Sequence, residues 1–199
     1  NYWNFKLSNI IKKKYKKVDV IYAANTLTHI ADLKQVFNSI CNILSESGIL
    51  IIEDPSLLEC LKKTSYDQFY NEHIYVFSTI ALRNILKKFN LEIFKIENLS
   101  THGGSNRYYI KKKNSLRKIE KSVKINERKE LNFGLNRIDT YFKFQKRVKK
   151  SKNKLVSIFS KFKKNNKKII GYGATAKSTT ILNYCKIDNT TIDYFFDTT

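Results

Sequence analysis

Two short, almost unbroken apolar runs constrain this chain more than anything else in it. "VDVIYAAN" (Val18–Asn25) and "GILIIEDP" (Gly48–Pro55) are of strand length and carry the continuous apolar character of strands buried on both faces. Between them Leu33, Val36, Phe37, Ile40, Ile43 and Leu44 recur at helical spacing, and Gly48 is placed to end that helix. Pro55 closes the second run, because proline has no N–H to continue a ladder. Strand, helix and strand in that order predict a parallel pair inside an α/β sheet.

The rest of the chain extends that reading and then restarts it. "STIALRNILKKFN" has an amphipathic helical period, with Ser78 or Thr79 as its cap. "LEIFKIENLS" alternates as a strand does, and "SNRYYIKKK" is placed to pair with it antiparallel across the turn "THGG". From about Ser115 to Asn165 charge is abundant, there is no proline, and apolar residues recur at helical spacing. Two long helices are expected there, broken near Asn132–Gly134. "KKIIGYGATAKSTTILNYC" then reads as strand, glycine turn and helix, and "TIDYFFDTT" as another strand. The expected organisation is residues 1–113 as one α/β domain, 114–166 as a helical connection, and 167–199 as the start of a second α/β domain.

Composition narrows the partners. At 199 residues and 42% hydrophobic, the chain can bury a core in one large domain or two small ones. The formal charge of +21 comes from 38 basic and 17 acidic residues, mostly lysine and spread along the chain. No arginine-rich arm, zinc finger or aromatic RNA-binding signature accompanies it, so the charge reads as a lysine-rich surface and nucleic acid is not the expected partner. Cys41, Cys60 and Cys185 form no CxxC pair and are odd in number, which argues for reduced thiols and a cytoplasmic location. No apolar stretch reaches the roughly 18 residues of a membrane span. The opening "NYWNFKLSN" lacks a methionine, so the chain is expected to have lost its start by processing or to be a piece of something longer.

In open parallel sheets, ligands bind beyond the carboxyl ends of the strands. "NTLTH" (Asn25–His29), "EDP" (Glu53–Pro55) and "FYNEHIYVFS" (Phe69–Ser78) fall at or just after such ends. His73 has an imidazole suited to taking a proton near neutrality, with Glu72 beside it and Tyr70 able to hydrogen-bond a developing oxyanion. His29 is either a second imidazole on this rim or a packing histidine after a turn capped by Asn25. "THGGSNRYY" offers His102, a glycine pair and Arg107, either as an anion clamp or as an ordinary hairpin with a surface arginine. "GYGATAK" places Gly171 and Gly173 between strand and helix, where backbone amides can hold a phosphate, with Lys177 one turn further on. An empty, closely packed turn fits the same residues.

The order and spacing of "VDVIYAANTLTHIADL", "GILIIEDPSLL", "YDQFYNEHIYVFS", "THGGSNRYY" and "GYGATAKSTTILNYC" resemble the class I methyltransferases that C-methylate nucleotide-linked sugars. The resemblance covers nearly the whole chain, and the YxEH segment, the HGGSxR hairpin and the GYGAxAK turn are its specific parts. It implies an N-terminal zinc-binding region, a central S-adenosylmethionine domain and a C-terminal Rossmann-like domain. It also implies a nucleoside-diphosphate 4-keto-deoxysugar lying between the last two. The motif's histidine, here His73, is the base that removes a proton beside the ketone, giving an enolate that attacks the sulfonium methyl. Tyr70 and Glu72 orient the substrate or stabilise the enolate, and Asn25 and His29 line the same pocket. No metal takes part in the transfer itself.

Against that pattern, the chain lacks the cysteine-rich zinc region and the glycine-rich loop that normally holds S-adenosylmethionine. The fold implied is therefore the C-terminal half of a Rossmann-like methyltransferase domain, a long helical connection and the start of a second Rossmann-like α/β domain. Alone, such a fragment is expected to be inactive and marginally stable. Two other functions fit the residues: a methyltransferase of another small acidic metabolite, and a non-enzymatic basic protein that binds nucleic acid.

Overall fold

Parallel pairing of the two apolar runs organises the fold. In the computed structural model of the protein, which describes residues 3–198, β1 (Val18–Ala24) lies beside β2 (Leu44–Pro55), with Ile21 opposite Leu50 and Ala24 opposite Glu53. Before them comes α1 (Phe5–Tyr15), capped by Asn4, whose side chain accepts from the Leu7 N–H at 2.8 Å. Lys12, Lys13 and Lys14 crowd its last turn, where the helix dipole favours positive charge. α2 (Leu33–Ile43) connects the two strands and packs against α1, with Asn42 donating to Ser8 and Asn9.

After β2 come α3 (Leu57–Lys63), α4 (Thr79–Lys87), β3 (Leu91–Leu99), β4 (Ser105–Lys112) and α5 (Lys121–Phe133). β4 inserts antiparallel between β2 and β3, so the strand order is β1-β2-β4-β3. Leu50 and Ile52 of β2, Tyr108 and Ile110 of β4, and Ile93 and Ile96 of β3 join α2, α4 and α5 in one apolar core. Ile93 and Ile96 differ in parity, and both reach the core because the register of β3 shifts between Ile93 and Lys95. Each fully buried aliphatic side chain here contributes roughly 1.5–3 kcal/mol.

Two sequence expectations change. The helix before β2 stops at Ile43, five residues short of Gly48, because Leu44 already turns extended. Gly48 instead sits inside β2, where a Cβ would lie 2.8 Å from the Leu44 side chain. Nor is β1 buried on both faces: among the described residues it lies at the edge of the sheet, with Val20 and Tyr22 more than half exposed. The mixed α/β fold itself is as expected.

The first turn of α4 is completed from far away. Glu130 of α5 is buried, and its carboxylate accepts from the Thr79 N–H at 2.6 Å and the Ile80 N–H at 3.1 Å. Ser78 caps the next donor, Ala81. An anion at a helix N-terminus is favourable both as a hydrogen-bond acceptor and against the dipole. Glu130→Ala leaves two donors unsatisfied in the interior and is expected to cost about 3 kcal/mol in urea denaturation. Glu130→Gln retains an acceptor and is expected to cost less.

The chain divides into two units. The first takes residues up to Cys60 and Glu72–Asn136; the second takes Leu61–Asn71 and the residues from Arg137 on. The helical stretch expected over 114–166 is thus shared, α5 belonging to the first and α6 (Ile138–Lys164) to the second. In the second unit β5 (Ile170–Tyr172), α7 (Ala176–Cys185) and β6 (Tyr194–Phe196) form the expected parallel strand–helix–strand. The Tyr66 ring packs on Tyr184 at 5.5 Å, and Arg147 of α6 donates to the Leu61 carbonyl and the Thr64 hydroxyl.

Candidate functional site

The carboxyl ends of β1 and β2 bring two of the three histidines together. Asn25 leaves β1 with φ +49°, a left-handed conformation that asparagine tolerates better than most residues. Its N–H donates to the Glu53 carbonyl at 2.7 Å, holding the start of the turn to β2. The chain then makes a short helical turn over Leu27–His29. The Thr28 carbonyl accepts from both the Ile74 N–H (2.9 Å) and the Tyr75 N–H (3.2 Å), and the Tyr75 hydroxyl donates to the Ala31 carbonyl. The segment that carries Glu72 and His73 is therefore stitched onto the turn that carries Asn25 and His29.

Within that stitch, His29 Nδ1 lies 2.9 Å from the Glu72 carbonyl, and the His29 and His73 ring centroids are 5.0 Å apart at 59°. A carbonyl only accepts, so Nδ1 carries the proton and the neutral ring keeps Nε2 as an acceptor. His29 and Glu72 are exposed and His73 half-buried. Tyr70 belongs to the second unit and is described with it as a half-buried residue.

Arg107 is committed. Its Nε and Nη2 donate to Glu53 Oε2 at 2.9 and 2.8 Å, and Nη1 reaches Glu97 at 3.4 Å. The Tyr109 hydroxyl donates to Glu97 at 2.9 Å, and Tyr22 reaches Glu53 at 3.3 Å. Lys95, then Tyr109, hold the Glu97 carboxyl below its usual range, and the bond to Glu53 chiefly raises the Arg107 guanidinium. An anionic ligand at Arg107 has to compete with two carboxylates already in place.

His102 is exposed at φ +52°, inside a turn over Thr101–Gly103. The hairpin is tied to the end of β2 by the Ser56 N–H donating to the Gly104 carbonyl at 3.0 Å. Gly104 has φ +132°, and a Cβ there would lie 2.7 Å from Glu59 Cβ. Gly104→Ala is expected to cost about 2 kcal/mol in thermal or urea unfolding, against about 1 for Gly103→Ala, where φ is +82° but nothing lies within 4 Å.

The glycine turn of the second unit is internally bonded. The Gly173 N–H donates to the Phe196 carbonyl and the Ala174 N–H to the Asp197 carboxylate, both at 2.7 Å. Gly171 is needed for close approach, since a Cβ would run into the Phe195 ring. Lys177 is half-buried in the first turn of α7, which Thr175 caps. A phosphate at this turn requires Asp197 to give way.

Asp54 belongs to the "EDP" stretch expected at the rim, where the sequence suggested no role for it individually, yet it is the most unusual group there. It is fully buried, and neither carboxyl oxygen has a hydrogen-bond partner. Burial, and then the neighbouring Glu53, push its pKa up to about 7. The signal was available: strand alternation places Asp54 on the same face as the buried Leu50 and Ile52. Among the described residues no group of three histidine, cysteine or carboxylate side chains is placed to hold a metal, and no helix is long and apolar enough to cross a membrane.

Residues 100–199 match a family model described as the C-methyltransferase C-terminal domain, and residues 3–96 one described as a methyltransferase domain. The chain is 24% identical over 180 residues to the C-methyltransferase NovU of Streptomyces niveus, a match covering 90% of this chain and 43% of that protein. The chain thus spans less than half the length of this relative. Among solved structures it is similar to magnesium protoporphyrin IX methyltransferase (ChlM) from Synechocystis PCC 6803 with bound SAH. That match has a TM-score of 0.37 and 17% identity, and covers 47% of this chain and 44% of the other.

Proposed function

Since the chain belongs to the C-methyltransferase family whose C-terminal domain spans its residues 100–199, we propose that it forms part of an S-adenosylmethionine-dependent C-methyltransferase. The substrate class we propose is a nucleoside-diphosphate-linked 4-keto-deoxysugar. The observation that carries the proposal is the imidazole pair His29–His73, held at the sheet's carboxyl end by the bond from His29 Nδ1 to the Glu72 carbonyl.

In this reading His73 removes the proton from the carbon beside the ketone, and the negative charge that develops moves onto the ketone oxygen. A carbon acid of that kind needs both a base and polarisation of the oxygen. The tie to Glu72 keeps the His29 ring in one orientation beside that base, so less ordering remains to be done as the substrate binds. Tyr70 and Glu72 are proposed to orient the substrate. The donor set on the rim suits the methyl donor: the exposed Asn25 carboxamide offers both donor and acceptor, and the exposed Glu72 carboxylate suits a cationic ligand. When bound, S-adenosylmethionine would supply an electrophilic methyl group; the chain's residues take the proton from the substrate carbon and orient the resulting enolate. Each unit by itself offers candidates for an anionic group: His102 and Arg107 in the first, Arg107 only by exchanging its carboxylate partners, and Gly171, Gly173 and Lys177 in the second.

The test is transfer of isotopically labelled methyl from S-adenosylmethionine to a nucleoside-diphosphate 4-keto-deoxysugar by the protein that carries this chain. Label recovered at a sugar carbon supports the reading. Label recovered on oxygen or nitrogen, or only with substrates lacking a ketone, overturns it.

A further inference from the structure

One rung of the sheet joins three strands through their side chains immediately before the rim begins. Glu53 of β2 lies opposite Arg107 of β4, and Arg107 lies opposite Glu97 of β3, so a cation stands between two carboxylates in one row. The row ends at Ala24, the last residue of β1, which pairs with Glu53. Asn25 follows, and its N–H donates at 2.7 Å to the carbonyl of the same Glu53 whose carboxylate Arg107 holds. The contacts to Glu53 are the short ones: Nε and Nη2 of Arg107 converge on Oε2 at 2.9 and 2.8 Å, against 3.4 Å from Nη1 to Glu97. The Tyr22 hydroxyl approaches the same oxygen from β1 at 3.3 Å.

Glu53 is 8% exposed, and a carboxylate so buried is kept in place by its cation, because moving away would strand the charge in the interior. The guanidinium fork also fixes the direction from which the carboxylate is held, which a single ammonium does not. Asn25 leaves β1 at φ +49°, a left-handed conformation that persists only when the surrounding structure holds it. From this rung we infer that Arg107 is a positioning residue for the Asn25–His29 turn: it fixes Glu53, and through the Glu53 carbonyl it fixes the backbone at the start of the turn. Of the two roles the sequence leaves open to it, Arg107 takes neither the anion clamp nor the idle surface arginine. It acts on the rim through Glu53 and does not touch the substrate.

This role stands whatever the substrate proves to be. Its test uses this chain, with amide hydrogen exchange at Asn25 set against that at Phe37 and Leu82, which are fully buried in the core, and with the Arg107 Nε–H cross-peak as a second readout. Arg107→Gln is expected to accelerate exchange at Asn25 by about tenfold or more beyond any change at Phe37 and Leu82, and to move the His29 backbone cross-peak. Combining Glu53→Gln with Arg107→Gln leaves no buried charge behind and should restore much of the protection at Asn25. Equal acceleration at all three amides makes Arg107 a purely structural residue and overturns the inference. So does an unchanged rate at Asn25, or a double variant as loose there as Arg107→Gln alone. If Arg107→Gln does not fold, Arg107→Lys keeps the cation but loses the fork, and the same comparison among the three amides decides it. Inorganic pyrophosphate should leave the Arg107 Nε–H cross-peak of the parent where it is; a saturable shift with pyrophosphate makes Arg107 an anion clamp and also overturns the inference.

Discussion

Asp54→Asn is expected to make the chain more stable than the parent by about 4 kcal/mol at pH 8, and equal to it near pH 4. The carboxyl's pKa rises from an ordinary 3.8 to about 7 in the folded state, first because burial disfavours its charge and then because Glu53 is adjacent. Below the ordinary value the carboxyl is protonated in both states and nothing is lost. Between 3.8 and about 7 the unfolded chain releases the proton while the folded chain keeps it, so stability falls as pH rises, by about 1.4 kcal/mol per pH unit. Above that window both states are ionised and the penalty stays constant. Asparagine fills the same space with no charge to desolvate. Carboxylates such as Glu46 and Glu97, whose pKa values are lowered by partners, work in the opposite direction in both proteins, so the difference between them isolates Asp54. Urea titrations at pH 4, 6 and 8 give the comparison; parity of the two proteins at pH 8 would sink it.

The second large effect belongs to His73. With the keto-sugar substrate proposed above, and in the protein that carries this chain, His73→Gln is expected to slow exchange of the proton beside the ketone with deuterated water by about 10²- to 10⁴-fold, the usual contribution of a positioned base. Methyl transfer should fall in parallel, since no nucleophile forms without that proton loss. His29→Gln should have the smaller effect, because in the proposed mechanism its ring, tied to the Glu72 carbonyl, stands beside the base. Proton exchange that survives His73→Gln but is lost in His29→Gln reverses the two roles.

Much of the fold was legible because its signals are local. The apolar runs of β1 and β2, the 3.6-residue period of α2 and α4, and the strand–turn–helix at Gly171–Lys177 each depend on neighbours in sequence. The rim could be read for the same reason, since a turn after a parallel strand sits at the strand's carboxyl end whatever lies across from it. What escaped depends on partners far along the chain. α1 was unassigned because its lysines blur the apolar period and its packing depends on α2. Gly48 looked like a helix end until Leu44 and Ser45 proved to be the atoms crowding it. Arg107 could be read either as an anion clamp or as a surface arginine, because its carboxylate partners, Glu53 and Glu97, are 54 and 10 residues away. The isolation of Asp54 is harder still: its parity was readable, but no sequence pattern announces that a buried side chain lacks a partner.

The cap that Glu130 places on α4 has a consequence for how the chain is made. The two bonded segments are about fifty residues apart, so the first turn of α4 cannot be finished as that helix emerges during synthesis. Its leading amides stay open to water until α5 has been translated and has docked. The late arrival of this carboxylate makes α4 a provisional helix for part of the chain's life, committed only when its N-terminus is sealed from the other end of the unit.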